Sequence, residues 1–386
     1  MLYALGWSNI YPKLEISLIV FFLISFLIAL IFGLLVDKSR AIGYQKLSGI
    51  GGNKLVNFLA FIWIGHSIQF IYFEEIPLIS LITGANGVDY KQFGIKVFHV
   101  ILVSFNSFVI VYLFHHYIST NKKRVFYYYL LSILPALLIV NRGMFIIAIL
   151  SSFFVFLMSR KRFLTIKQLS FTLIMVLVLL YFFGMLGNIR SGHGDPTYIP
   201  MESKATKSFM KSSIPKEYYW TYLYGASPLA NFQYNINNTK KVNYNLFDMA
   251  LFEMTPKVLS KRIAFVLERE PLDAHKVRDW LTVGTIYSRS YSYAKWLGPI
   301  FLFIYTIFIT LIIIVLIPKR SSYHVSVIAI LSTIIFMNTF SNMLVFSGIV
   351  LQLVYPVFFS FFENKKIVLK RINDVARKKT KFENES

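Results

Sequence analysis

Four arginines sit where long apolar runs of this chain begin or end, and a guanidinium is the side chain that grips phosphate by paired hydrogen bonds. Arg142 stands in "NRG" (141–143), Arg190 in "GMLGNIRSGHGDP" (184–196), and Arg278 and Arg289 in "HKVRDWLTVGTIYSRSY" (275–291). Arg142 and Arg190 together form a candidate diphosphate clamp, with snorkelling to lipid headgroups as the plainer role of Arg142. Around Arg190, Gly184 and Gly187 permit close backbone approach, which a lipid diphosphate could use, and Gly192 and Gly194 permit turns. His193, Asp195, His275 and Asp279 are the candidate bases, and nothing in their spacing ranks them; His193 and Asp195 serve equally as loop solvation. The run "YYWTYLY" (218–224), with Trp220 and Tyr224, offers ring faces on which sugars stack, although Tyr and Trp also populate membrane interfaces.

The missing motifs narrow the chemistry. There is no HExxH, Walker loop, GxSxG or His–carboxylate pair at metal-ligand spacing. Glu74-Glu75 lacks the Asp-x-Asp form of metal-dependent transferases, so metal-independent chemistry with no cofactor is the expectation. Cysteine is absent, which removes disulfides and thiolate sites.

The elements that position these residues follow from composition. With 56% hydrophobic and 17% aromatic residues in 386, the chain is too apolar for one soluble core and reads as an all-α polytopic membrane protein. Its net charge of +22 does not point to nucleic acid, because the basic residues cluster between apolar runs. About 20 apolar residues cross the hydrocarbon, which gives nine candidate helices at 14–36, 55–73, 95–118, 125–141, 143–159, 169–187, 297–317, 323–341 and 343–362. The first lacks a basic start and a cleavage site and reads as retained. The connections 37–54, 119–124, 160–168 and 318–322 and the tail 363–386 hold 21 Lys/Arg. The short segments of the opposite face hold only Lys13, Lys91, Lys96 and Arg142, and long loops obey the charge rule poorly, so the N-terminus is placed outside and the C-terminus inside. A hairpin at Asn141-Arg142-Gly143 and a break near Asn342 keep the basic segments on one side. The hairpin's helices, about 25 Å each, leave Arg142 in a dip at headgroup depth.

This divides the chain into membrane helices 1–187, one large outer loop 188–296, membrane helices 297–362 and a basic tail 363–386. The loop has 109 residues, too many for a mere connection. Val258, Leu259, Ile263, Val266 and Leu267 recur at helical spacing, an amphipathic helix lying on the outer leaflet or on the loop's own core. His66, Gln69, His99, Asn106 and Asn338 fall inside apolar runs, where hydrogen bonds to neighbouring helices are expected to satisfy them.

Several short motifs in this order resemble the bacterial O-antigen and capsule repeat-unit polymerases, the Wzy family, over about residues 55–315. "EEIPLISLITGANGVDYKQFGIKVFHVI" (74–101) resembles the family's outer segment, "NRG" its Arg-Gly at a helix turn, and "GNIR" (187–190) the Gly-x-x-Arg opening its large loop. "YLYGASPLANF" (222–232), with Asn231, is similar to its Ser-Pro-x-x-Asn segment, and "TVGTIYSRSYSYAKWLG" (282–298) to the segment returning to the membrane. "AKWLG" departs from the family's Asp-aromatic-Gly element, so a role at that acidic position does not transfer.

The resemblance implies a metal-independent glycosyltransferase of the bacterial cytoplasmic membrane that joins undecaprenyl-diphosphate-linked oligosaccharides at the outer face. Arg142, Arg190, His193, Asp195, Arg278 and Asp279 would act in catalysis, with Arg289, Tyr224, Asn231 and Trp220 holding substrate. A chain-length regulator and a flippase of the same pathway are the implied protein partners, besides membrane lipid. The rival readings are a flippase, which should have paired halves that this chain lacks, and an outer-face ligase sharing the same donor. Arg142→Ala and Arg190→Ala are each expected to abolish polymer while the protein stays inserted, as read on a glycan gel beside a membrane immunoblot; normal chain lengths in either variant remove the clamp.

Overall fold

The expectation of helices throughout is met in a computed structural model that describes residues 2–40, 43–47, 52–83, 93–160, 165–191, 194–240 and 244–363. Among these the chain is all-helical, with no strand beyond an isolated bridge between Ser8 and Ala205. The helices are α1 (Ile16–Arg40), α2 (Gly52–Tyr72), α3 (Pro77–Thr83), α4 (Phe98–Thr120), α5 (Lys123–Leu138), α6 (Arg142–Ser159) and α7 (Ile166–Arg190). Six more follow, all but α10 short: α8 (Tyr198–Glu202), α9 (Lys207–Lys211), α10 (Tyr218–Asn238), α11 (Leu246–Glu253), α12 (Lys257–Val266) and α13 (Ser288–Ala294). The last are α14 (Leu297–Leu316), α15 (His324–Met337) and α16 (Ser347–Glu363). Five of them, α1, α2, α4, α7 and α14, are long and apolar enough to cross a membrane; α6, α15 and α16 are shorter apolar helices.

The hairpin expected at residues 141–143 is built from identifiable parts. Val140 takes a left-handed φ of 55°, costly for a β-branched residue, and Asn141 caps α6 by accepting from the Met144 amide at 3.0 Å. Arg142 is therefore the first residue of α6. At the other end of the membrane segment α7 runs on to Arg190 rather than ending near 187, so "GNIR" is helical.

The chain forms two compact units. One comprises 34–160, 306–336 and 346–386, and its centre is α4. That helix is apolar on every side and mostly buried, as a helix without a polar face must be; α2, α5, α6 and α16 pack against it. Leu102 fills the space left at Gly65, and Ser151 on α6 bonds Thr333 on α15 at 2.8 Å.

The other unit comprises 1–33, 161–305 and 337–345, and is organised by α10. One cluster joins the α10 face Tyr219, Trp220, Tyr222 and Leu223 to Ile199 and Phe209, with Tyr3, Trp7 and Tyr11 of the N-terminus packed on it. A second joins Phe232 and Ile236 to Leu18 of α1 and Tyr291 of α13. α7 meets α10 along its small residues: a Cβ at Gly184 would overlap the Glu217 carbonyl, and one at Gly187 the Trp220 ring. The glycines open α7 to another helix and not, as their spacing suggested, to a lipid headgroup.

Gly184→Ala is expected to force α7 from α10 and cost about 1–3 kcal/mol, read as a lowered midpoint in thermal denaturation of the detergent-solubilised chain. Gly143→Ala, whose Cβ would meet only Asn141 Oδ1 at 3.6 Å, should leave the midpoint unmoved.

Candidate functional site

Two buried asparagines one turn apart on α10 shape the site. A primary amide with no water near it needs partners for both its donor and its acceptor. The Asn231 Nδ2 donates to the carbonyls of Leu281 and Val283, both at 2.7 Å, and its Oδ1 accepts from the Val277 amide at 2.9 Å. Asn235 Nδ2 donates to Ser288 O at 2.8 Å and Ser292 Oγ at 3.0 Å, and its Oδ1 accepts from the His275 amide at 2.8 Å. The segment 275–292 is thus pinned along α10. Asn231, expected to hold substrate, has its amide bonded to the chain itself.

The pinning brings Trp280 onto the aromatic run of α10. Trp220, Leu223, Tyr224 and Trp280, together with Tyr198, Ile199 and Glu202 of α8 and Ser191, line a cavity of about 360 Å³. Trp220 is fixed there by its indole N–H, which donates to Asn188 Oδ1 at 2.7 Å, and Tyr224 stands edge-on to Phe183. Four aromatic side chains, two of them phenols, with one carboxylate and one serine hydroxyl form a cleft suited to a ligand that offers both apolar ring faces and hydroxyl groups. Ser191 follows Arg190 directly, so the cleft opens at the end of α7.

A second cavity, about 510 Å³, lies where α10 ends, lined by Asn238, Thr239, Lys240, Leu272, Asp273, His275 and Ser292. It is polar where the first is aromatic. Asn235 forms its foundation, since it holds His275 and Ser292 and also accepts from Thr239 Oγ1 at 3.2 Å. From Tyr224 to Asn238 α10 climbs about 21 Å.

The remaining residues singled out in the sequence divide between these places and others. Asp195 accepts from the Thr197 amide and hydroxyl at 2.8 Å in a local turn. Arg278 is half-buried and Asp279 exposed, beside Trp280 in the chain. Arg289 lies against buried Glu253 at 3.5 Å and, at 3.7 Å, against exposed Asp273, which lines the second cavity. Arg142 opens α6 in the unit around α4, whereas Arg190 closes α7 in the unit around α10. The side chains of both arginines, and His193 altogether, lie outside the described residues. Glu202, Tyr198 and Asn235 carried no local motif, and Trp280 lay within 275–291 without being singled out.

The polar groups inside the apolar helices depart in part from expectation. Gln69 Oε1 and His99 Nδ1 pair at 2.7 Å, and Asn338 accepts from the Met343 amide at 2.8 Å. His66 and Asn106, fully buried, have no hydrogen-bond partner for any side-chain nitrogen or oxygen among the described residues. Among those residues no group of three His, Asp or Glu could hold a metal ion.

Glu253 ends α11 beside Asn342, which donates to its carbonyl at 2.8 Å and its Oε2 at 3.2 Å. Burial pushes its carboxyl above the ordinary value of 4.5, more than Arg289 and Asn342 pull it down. No protein-family model, curated protein or solved structure matches the chain.

Because the folded carboxyl holds its proton more tightly than the unfolded one, Glu253 favours the fold fully below its ordinary value of 4.5, and this contribution is lost as pH rises through the raised one. Glu253→Gln should remove that dependence, so that wild type falls behind the variant as pH climbs from 4 in paired denaturation curves; parallel curves count against the buried, raised carboxyl.

Proposed function

We propose that this protein is a membrane glycosyltransferase that polymerises undecaprenyl-diphosphate-linked oligosaccharides at the outer face of the bacterial cytoplasmic membrane. The observation that carries the reading is the aromatic cleft at the end of α7, which Trp220, Tyr224 and Trp280 line together with Glu202. A sugar ring stacks on such faces while a carboxylate accepts from its hydroxyls. The cleft adjoins an exposed apolar helix, the place where a glycan on a lipid carrier would emerge. In this reading nine helices cross the membrane, the N-terminus lies outside with the segment 188–296, and the basic tail lies inside.

Transfer joins two such substrates. A hydroxyl of the acceptor sugar attacks the anomeric carbon of the donor, the bond from that carbon to the diphosphate oxygen breaks, and the diphosphate leaves with the electron pair. Arg190, next to Ser191 at the cleft, would stabilise the charge developing on the diphosphate. The proton of the attacking hydroxyl passes to a base. Glu202 is the carboxylate lining the cleft, which favours it over Asp195, engaged with Thr197, and His275, which lines the other cavity. Arg278 and Asp279 precede Trp280 in the chain and would act from there. The polar cavity at the end of α10 would hold the second glycan, about 20 Å along the helix.

A flippase would pass its substrate between halves of the membrane bundle, and a ligase would release the polymer onto a different acceptor. Deletion of the gene separates the three: single repeat units on the cell surface support the polymerase, units retained inside support the flippase, and long polymer left on its carrier supports the ligase. Within the polymerase reading, Glu202→Gln should lower polymer formation at least a hundredfold. Trp280→Ala, at a side chain 41% exposed and so free of the core, should lower it about tenfold, with Trp280→Phe close to wild type. These are read as polymer per unit of membrane-inserted protein, and full activity in Glu202→Gln removes it as the base.

A further inference from the structure

Helix α12 exposes the wrong face for a helix packed only on its own unit. The residues it buries are small, Ser260 and Ala264, one turn apart. Its large apolar residues turn away: Leu259, Ile263, Phe265 and Val266 are 53, 41, 84 and 77% exposed. A surface helix of a water-soluble domain has the opposite arrangement.

Its level along the unit is fixed by a hydrogen bond. Tyr305, eight residues or about 12 Å into α14, donates its hydroxyl to Met254 O at 2.6 Å, and α12 begins three residues later. At that height α14 leaves Ile300, Phe301 and Ile304 between 43 and 55% exposed, the side of a span that faces lipid. The start of α12 is therefore held near the level of exposed apolar residues on a span-length helix. Arg262 lies among the apolar residues, where its stem can follow acyl chains while its guanidinium reaches phosphate, and exposed Lys261 flanks it.

We propose that α12 is a docking element for the membrane itself: its Leu259–Ile263–Val266 face enters the headgroup–acyl boundary, and Lys261 and Arg262 bind anionic phospholipid. This does not rest on the glycan reading. It commits the outer part of the protein to a fixed height above the bilayer, and it makes that attachment dependent on lipid charge.

The absence of cysteine allows one introduced thiol to carry a single label. The full chain bearing Ile263→Cys, Val266→Cys or Lys261→Cys, labelled with an environment-sensitive fluorophore, is reconstituted in phosphatidylcholine vesicles with or without phosphatidylglycerol. Labels at 263 and 266 should be quenched at least threefold more by spin-labelled lipid than by aqueous iodide, and the label at 261 the reverse. Lys261→Glu with Arg262→Glu should lower the lipid quenching at 266 in phosphatidylglycerol vesicles and leave it unchanged in phosphatidylcholine alone. Iodide quenching at 263 and 266 overturns the proposal, as does protection from both quenchers, which would mean a protein covers the face. Lipid quenching indifferent to phosphatidylglycerol and to charge reversal overturns its anionic part.

Discussion

The clamp that Asn231 and Asn235 place on the segment 275–292 is the interaction on which the candidate site depends. Each amide uses its donor and its acceptor on α13 or on the chain leading to it, so residues distant in sequence are held along one face of α10. Trp280 reaches the aromatic run because Val277, Leu281 and Val283 on either side of it are bonded to Asn231. His275 and Ser292 face the polar cavity because both are bonded to Asn235. Loss of either amide leaves buried main-chain donors and carbonyls without partners, each at a cost of about 1–3 kcal/mol, and disperses a cavity wall.

The second constraint is closeness between helices. α10 can lie against α7 because Gly184 and Gly187 have no side chain where Glu217 and Trp220 approach. Once there, Trp220 gives its indole hydrogen to Asn188 and presents a ring to the cleft. The same contact brings the end of α7 to the mouth of the cleft, joining an apolar helix suited to lipid with a surface suited to carbohydrate. The glycan reading follows from this junction, since a lipid-linked oligosaccharide has those two kinds of surface in that order.

Much of the helical framework was legible because apolar runs of span length leave the backbone little choice but to bond within itself. The hairpin at Asn141 could be read from charge alone and is realised by a cap. Where the reading went astray, the cause was long-range. The expected helix stopped at Gly187, yet α7 runs on to Arg190, and the partner that needs Gly184 and Gly187 begins some 30 residues later. Trp220 and Tyr224 were visible as an aromatic run, whereas Glu202 and Trp280 had no local pattern and meet them only through the asparagine clamp. Asn231 was noticed for its motif, whereas its bonds to 277–283 depend on a segment some 50 residues away. His66 and Asn106 were expected to find partners across α2 and α4, and the dense apolar packing around α4 leaves them none among the described residues.

The account's central claim is that a lipid-linked glycan occupies the cleft above α8, against Trp220, Tyr224 and Trp280. Hydrogen exchange of the full chain in nanodiscs, with and without a synthetic undecaprenyl-diphosphate-linked oligosaccharide, tests it most directly. Slowed exchange at 198–202 and 277–283, with α11 unchanged, is the predicted result. Unchanged exchange in those two segments at saturating ligand, with protection appearing elsewhere, would contradict it.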